Sequence, residues 1–475
     1  MNIIKSGIQI FSANIVNAVI KFFGIAYFAR ELGASVLGVF FLFEAMLGML
    51  SLIANFGLRG ALEKRISEGT DQSVYLTSTI LLKILPLVVM SLAIFLFQST
   101  INEYLGSPLA LYLIISIILQ EISKLSIFVL KGELRVGETA SLKLAKEISW
   151  VATGIFLINI GYGVEGLVLG LLTGFVVVSC WGWWKVSITL SSPSIKHSRS
   201  LFNYGKFNLV SNISGYFYSW VDVAIIGLFL TQAHVGAYEV AWRLTAFVVL
   251  LGKSISTAIF PQMSQWDAEG SREQIESVIR DSMGLSLLVV IPAFFVALLY
   301  SREILGYMFG FEYTIASLAL IILMGEKIVQ SIHLIIGRGI QAIDRPDLAA
   351  KASAVSIVLN VFLNLILIQY FDIAGAALAT ATSFTLNSIL HGFYLSKYLS
   401  IQIPYSLLLS AVLSSISMTV ILLLIESLYP ISNLLGLLVA IIVGAITYGT
   451  ISVAFPATRA MIKKFARRTG LHLPT

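Results

Sequence analysis

Charge is scarce in this chain. Of 475 residues only 12% are Asp, Glu, Lys or Arg, about half the fraction of roughly 25% that soluble domains carry. Two or three soluble domains of this total length would need far more charge to cover their surfaces. The single cysteine, Cys180, excludes an intrachain disulfide and gives no redox signal. No G-x-x-x-x-G-K-[ST] loop occurs, which excludes a P-loop nucleotide site. The five histidines and one cysteine fall in no metal-ligand spacing, so no cofactor or resident metal is expected. Connections expected on the outward face are short. The longest, about 300–314, holds Arg302, Glu303 and Glu312, and no large outward loop offers the paired carboxylates a membrane glycosyltransferase or polymerase would use. The chain is therefore expected not to be an enzyme.

Apolar runs are abundant. Hydrophobic residues make up 57% of the chain and the mean hydropathy is +0.91, so lipid is the expected solvent for most of the length. Runs of about 20 apolar residues match a hydrocarbon core of roughly 30 Å. Fourteen such spans are expected, at 7–29, 36–58, 76–98, 106–128, 141–161, 165–187, 205–229, 235–259, 281–300, 315–338, 350–370, 374–396, 404–425 and 432–454. The least regular are 141–161, with Lys143, Lys146 and Glu147 in its first turns, and 235–259. The first run follows Lys5 and is too long for a signal-peptide core, which makes it a retained helix.

Alternate connections differ in cationic charge. One set carries Lys5, Arg59, Lys64, Arg65, Lys131, Arg135, Lys196, Arg199, Lys206, Arg272, Arg280, Arg345, Lys397, Arg459, Lys463, Lys464, Arg467 and Arg468, eighteen in all, against Arg30 and Arg302 in the other. The positive-inside rule then puts both termini in the cytoplasm of a multi-pass cell-membrane protein, which requires an even number of spans. The basic tail from Arg459 to Arg468 reads as an anchor on anionic headgroups. No folded module surrounds it, so nucleic acid is not an expected partner.

The chain matches itself at an offset of 198. Gly7, Asn14, Ile15, Ala26, Leu32 and Gly38 fall on Gly205, Asn212, Ile213, Ala224, Leu230 and Gly236. With a drifting offset, Pro86 matches Pro292, Lys131-Gly132 matches Arg338-Gly339, and Gly166 matches Gly375. The expected fold is an all-α integral membrane protein of two six-helix lobes related by a pseudo-two-fold axis, plus two C-terminal helices. Its expected parts are lobes at 1–187 and 205–397, a cytoplasmic linker at 188–204, helices 13 and 14 in 398–456, and a tail at 457–475. Pro86 and Pro292 are each expected to kink their spans.

Polar side chains in hydrocarbon need protein or water around them, so they mark an interior face. Span 1 carries Asn14, Asn17 and Lys21; span 2 carries Glu44, Ser51 and Asn55. Span 7 carries Asn208, Asn212, Ser219 and Asp222; span 8 carries Glu239, Arg243, Lys253 and Thr257; span 10 carries Glu326, Gln330 and His333. Asn and Ser stripes also serve as helix–helix glue. Glu239 with Arg243, Glu121 with Lys124, and Lys143 with Glu147 have the spacing to neutralise one another. Lys21, Glu44, Asp222 and Lys253 have no such local partner, and their places on spans 1, 2, 7 and 8 favour one shared cavity between the lobes.

Phe28-Ala29-Arg30-Glu31-Leu32-Gly33-Ala34-Ser35-Val36-Leu37-Gly38 resembles the opening of the polysaccharide-export, O-antigen-flippase-like transporters. These belong to the multidrug/oligosaccharidyl-lipid/polysaccharide exporter superfamily. Gly375-Ala376-Ala377-Leu378-Ala379-Thr380, after the Asn360–Asn364 helix, and Phe260-Pro261-Gln262-Met263-Ser264 add to the likeness. The resemblance implies two bundles that open alternately to each side and a lipid-linked oligosaccharide as cargo. Spans 13 and 14 are similar to the extra pair of the lipid II flippase branch. It also implies work beside glycosyltransferases and a polysaccharide polymerase, with one chain sufficient as a monomer.

A lipid-linked sugar needs a wet, cationic passage for its phosphate. Lys21, Arg30, Arg59, Arg243 and Lys253, with Asn14, Asn17 and Asn212, are the expected headgroup contacts. Glu44, Asp222 and Glu239 are the expected carriers of a coupling proton or sodium ion. A multidrug or cation antiporter of the same superfamily, a membrane glycosyltransferase or polymerase, and a structural scaffold stay open as alternatives.

Overall fold

The structure, a computed structural model, describes residues 3–469; the side chains of 3–14, 207–217, 219 and 465–469 lie outside the described residues. Those of Asn14, Asn208, Asn212, Ser219, Arg467 and Arg468 are therefore not placed. Among the described residues the regular structure is helical throughout. The first eight helices are α1 (Ile3–Asn55), α2 (Leu58–Ser67), α3 (Gln72–Leu96), α4 (Gln98–Leu105), α5 (Ala110–Gly132), α6 (Val136–Asn159), α7 (Val164–Lys185) and α8 (Ile195–Phe229). Then follow α9 (Gln232–Ala246), α10 (Leu250–Ala268), α11 (Arg272–Phe309), α12 (Ser317–Ala342), α13 (Pro346–Leu395), α14 (Tyr405–Leu428), α15 (Leu434–Ala454) and α16 (Pro456–Thr469).

Nine helices among the described residues are long and apolar enough to cross a membrane, and the bent pair α9 and α10, at 49° to each other, makes a tenth. The physical reasons for the difference from the fourteen expected spans are local. α1 and α13 each run through two expected spans and are broken by a single residue, Gly33 (φ 79, ψ 171) and Asp372 (φ 50, ψ −137). The expected loop Arg30–Ser35 is thus helix on both sides of one glycine, which alone tolerates that positive φ without strain. Past Asp372, a Cβ on Gly375 would fall 2.1 Å from the Leu367 carbonyl oxygen, so the tight return demands glycine. α6 carries too many charges to pass as an apolar span. Both expected proline sites lie inside helices, Pro86 in α3 and Pro292 in α11, and the non-helical residue of α11 is Tyr300.

Outer faces suit hydrocarbon. On α3, Leu85, Val88, Leu92 and Leu96 are exposed at helical spacing; on α14, Leu409, Leu413, Ile416, Val420 and Leu424 are. In water such stripes would aggregate, whereas lipid matches them.

The chain divides into two compact units, Met1–Gly236 and Ala237–Thr475. In the first unit, Trp150 of α6 stacks on Phe40 at 5.7 Å between centroids and meets the edge of Phe28 at 5.5 Å. Glycines let the helices close on this core. A Cβ on Gly170 would approach the Trp150 carbonyl oxygen to 2.8 Å, and one on Gly154 the Phe28 ring to 2.8 Å. A tighter contact joins α1 and α9. A Cβ on Gly38 would lie 1.7 Å from the Gln232 carbonyl oxygen, and one on Gly236 2.1 Å from that of Ala34. Without a hydrophobic driving force in lipid, such close backbone approach is what packs helices together.

In the second unit, α10, α11, α12 and the end of α13 share a core of Met263, Ile275, Ile279, Met283, Ile335, Ile340 and Leu395. α16 folds back on its own unit. Buried Thr458 is 2.9 Å from the Ser410 hydroxyl, and Lys464 reaches Asp281 of α11 at 2.5 Å.

A cationic cavity in the first unit

Two left-handed residues, Phe56 (φ 47) and Gly57 (φ 72), end α1 and start α2 at once. That corner turns Arg59 back beneath the last turns of α1. Its backbone N–H donates to Asn55 Oδ1 at 3.1 Å, and its Nη2 donates to Ser51 Oγ at 3.2 Å. Glu121 of α5 completes the cluster. One carboxylate oxygen accepts from Ser51 Oγ at 2.9 Å and stands 3.3 Å from Arg59 Nη2; the other accepts from Lys83 Nζ of α3 at 2.5 Å. Lys83 Nζ also donates to Asn55 Oδ1 at 3.1 Å. All five side chains are buried. Leaving either sign unmatched at this depth would be costly, and the cluster fixes four helices to one another.

Arg59 opens onto a cavity of about 490 Å³ lined from α1, α2, α5, α6, α7 and α8. Its wall carries five cations, Arg59, Lys124, Lys131, Lys143 and Lys146, against two carboxylates, Glu44 and Glu147. Helical spacing explains the grouping. Lys124 and Lys131 are seven apart on α5, and Lys143 and Lys146 are three apart on α6, so each pair shares a face. Glu147 pairs with Lys146 at 2.8 Å. Aromatic rings lie against several of the cations: Phe128 is 4.5 Å from Lys131 Nζ and 5.8 Å from the Arg59 guanidinium, and Phe175 is 5.8 Å from Lys146 Nζ. Such faces hold a cation with little hydration, which strengthens its pull on an anion.

Among the expected contacts, Asn17, Glu44 and Arg59 come together on this wall. Lys21 is half-buried, 5.8 Å from the Trp150 ring. Arg30 is exposed on α1, and Asp222 is buried on α8 and is not among the lining residues. Lys21, Glu44 and Asp222 are each engaged in polar or ring contacts. Glu239, Arg243 and Lys253 belong to the second unit. Arg243 Nε donates to Glu239 at 2.7 Å, and Lys253 is exposed on α10.

Lys124, Lys131, Lys143, Lys146, Glu147 and Trp220 also line the cavity and were not among the expected contacts. Local spacing had matched Glu121 with Lys124 and Glu147 with Lys143. In the folded chain Glu121 turns to Lys83 and Arg59, and Glu147 to Lys146. The available signal was the irregularity of span 141–161: charges at Lys143 and Lys146 inside an expected membrane helix mark water or a ligand.

The second unit buries its charges in pairs. Glu326 and Lys327, both fully enclosed, meet at 2.6 Å, and Lys327 Nζ lies 5.7 Å from the Trp242 ring. Neutral hydrogen bonds join the two arms of α13, where Asn360 donates to Thr380 and Ser383, each at 3.2 Å. No group of three or more His, Cys, Asp or Glu side chains that could hold a metal occurs among the described residues.

Residues 27–318 match the polysaccharide biosynthesis protein family, and this stretch is more than half of the chain. The chain belongs to that family. It is 51% identical to the probable low-salt glycan biosynthesis flippase Agl15 of Haloferax volcanii over 97% of both chains. Its fold is similar to the solved inward closed conformation of the lipid II flippase MurJ, with a TM-score of 0.80 at 19% identity, covering 97% of this chain and 100% of that one. An inward-facing multidrug resistance MATE family transporter of the MOP superfamily also matches, with a TM-score of 0.66 at 14% identity, over 80% of this chain and 94% of that one. These two likenesses establish the fold. The protein is a multi-pass, all-helical membrane protein.

Proposed function

We propose that the chain is a flippase that carries a lipid-linked oligosaccharide from the cytoplasmic to the outer leaflet by alternating access. The observation that carries this reading is the surplus of three positive charges on the wall of one cavity inside a membrane-spanning unit. Unmatched cations there are expensive, and an anionic phosphate or diphosphate removes the expense. The relation to a probable glycan biosynthesis flippase at 51% identity over 97% of both chains supports a glycan as the cargo. In this reading the greasy tail stays in lipid while the headgroup enters the cavity. Arg59 and Lys124 meet the phosphate, Asn17 and Gln120 offer hydrogen bonds to the sugar, and Trp220 gives the sugar an apolar face.

The finer architecture is part of the proposal. Dividing α1 at Gly33 and α13 at Asp372, taking α9 with α10 as one bent span, and adding α6 and α8 gives fourteen crossings, with both termini cytoplasmic in the cell membrane. Two lobes at 1–187 and 205–397 would form the repeat. A reciprocal contact supports it: Gly38 meets Gln232 as Gly236 meets Ala34, and the 198-residue offset exchanges one pairing for the other, as a two-fold axis would. Lys21, Arg30, Arg243 and Lys253 with Asn14 and Asn212 remain proposed headgroup contacts, and Glu44, Asp222 and Glu239 proposed carriers of a coupling proton or sodium ion. Glycosyltransferases would supply the cargo, a polysaccharide polymerase would use it, and a monomer suffices. An inside-negative potential favours outward movement of each negative charge by ~2.3 kcal/mol per 100 mV, so export needs no nucleotide.

The test is reconstitution of the full chain in vesicles carrying a fluorescent lipid-linked oligosaccharide on one leaflet. Transfer to the other leaflet by the native chain, lost in Lys124→Gln/Lys143→Gln, supports the reading. Equal transfer with and without protein refutes it.

A further inference from the structure

Arg59 faces the cavity, but the groups that hold it do not. Glu121 and Lys83 are 2% and 3% exposed and lie behind the lining residues. Glu121 brings one negative charge to two cations. Had it faced Arg59 alone, the pair would be fixed and neutral, and the guanidinium would have little attraction left for a ligand. The shorter contact goes instead to Lys83, at 2.5 Å against 3.3 Å for Arg59. The three together keep a net charge of one positive unit.

Holding Arg59 does not require Lys83. Ser51 accepts from Nη2, Glu121 faces the same nitrogen, and Asn55 accepts from the backbone N–H. Lys83 is otherwise an anomaly on its helix, because its neighbours Leu81, Ile84 and Leu85 are exposed to the hydrocarbon side. A lysine at mid-span is costly unless its charge has a use.

We propose that Lys83 is a charge-setting positioning residue: from behind the wall it offsets Glu121, so that Arg59 is held in place without being neutralised, and it thereby sets the cavity's affinity for an anionic headgroup. This rests on the anion-binding reading above. The chemistry selects multiply charged anions over singly charged ones, because each added ligand charge interacts with the charge that Lys83 restores.

The probe is inorganic pyrophosphate, titrated calorimetrically into the detergent-solubilised full chain. Lys83→Met keeps the side-chain volume and is expected to weaken binding about tenfold, the loss of one unit charge near the ligand. Lys83→Arg is expected to bind within about twofold of the native chain, since the charge is kept. Lys83→Met/Glu121→Gln removes one charge of each sign and restores the native sum. It is expected to recover affinity to within about threefold, and it stays testable if the single variant folds poorly, because the charged pair leaves together. A structural tie between α3 and α5 would make the double variant no better than the single one. Native-like affinity in a folded Lys83→Met, or a double variant as weak as the single one, overturns the assignment while binding by the native chain and its loss in Arg59→Gln leave the anion reading standing. No pyrophosphate binding by the native chain removes that reading and this inference together.

Discussion

The first unit keeps cations in surplus on the wall of a cavity, whereas the second matches its enclosed charges pair by pair. On the cavity wall five cations meet two carboxylates; in the second unit Glu239 faces Arg243 and Glu326 faces Lys327. Both arrangements place charge within a membrane-spanning unit, yet their consequences differ. A matched pair is a closed structural element that well-packed apolar residues could replace at little cost. A surplus is a demand for something that the chain does not contain. Burial of charge is thus a poor guide to function, and imbalance is a better one.

The comparison can be broken most severely by reversing the surplus. Lys124→Glu/Lys143→Glu would turn the wall's excess of three positive charges into an excess of one negative charge, and flipping in vesicles is expected to fall by about 100-fold or more. The matching manoeuvre in the second unit, Glu326→Gln/Lys327→Met, which removes one enclosed pair together, is expected to leave the rate within about threefold. Equal losses in both would end the distinction between surplus and balance.

Next in size is the cost of breaking one pair. Lys327→Met removes the cation paired with the buried Glu326 carboxylate and is expected to destabilise by ~3–5 kcal/mol, most of it recovered in Glu326→Gln/Lys327→Met. Thermal unfolding in detergent measures both. A single variant as stable as the native chain would show that the pair is not matched as described.

Packing sharpens the contrast on a smaller scale. Gly38→Ala in the first unit meets the Gln232 carbonyl oxygen at 1.7 Å and is expected to cost ~1–3 kcal/mol through forced separation of α1 and α9. Gly392→Ala in the second unit meets nothing within 4 Å and should be neutral or stabilising by up to ~1 kcal/mol. Melting temperatures of the two variants should therefore move apart.

The smallest effect is one of pH. Glu138, before the expected span 141–161, is held down to about 2 by hydrogen bonds from Arg135 and Lys185. A carboxylate depressed on folding adds stability above its ordinary range near 4.5, and that stability disappears as pH falls from there toward about 2. Glu138→Gln is expected to flatten the acid limb of the stability curve below pH 5 by a few tenths of a kcal/mol, because the group is more than a third exposed. An unchanged acid limb would mean that the contact is fully screened.

The fold was legible in the sequence where lipid imposed it. Runs of about 20 apolar residues and the placement of Arg and Lys fixed the spans to within a few residues in α3, α5, α14 and α15. What hid the chain's continuity was a single residue at each of two corners. Gly33 and Asp372 turn α1 and α13 without a loop, and sequence reading supplies a loop wherever two apolar runs abut.

The site was legible only in part. Glu44 could be chosen because it lacked an obvious partner nearby in sequence, Asn17 because it shares a polar stripe with Lys21, and Arg59 as a cation suited to a phosphate. Lys124 and Lys143 were set aside because each had a carboxylate three or four residues away. Glu121 turns elsewhere once Ser51, Asn55 and Lys83 are folded around it, a tertiary choice that no spacing rule contains, and Glu147 turns to its neighbour Lys146. Pairing along one helix is worth only a few tenths of a kcal/mol, too little to hold a charge against a better partner on another helix.

Flipping rate against cavity charge tests the surplus most directly. The series is the native chain, Lys143→Gln, Lys124→Gln/Lys143→Gln and Lys124→Glu/Lys143→Glu, each checked for folding and incorporated equally into vesicles with the labelled lipid-linked oligosaccharide. The rate is expected to fall at every step as the excess drops from three to two, to one and to one negative. A rate that stays flat across the series in folded protein would contradict the claim that the cavity's unmatched cations handle the headgroup.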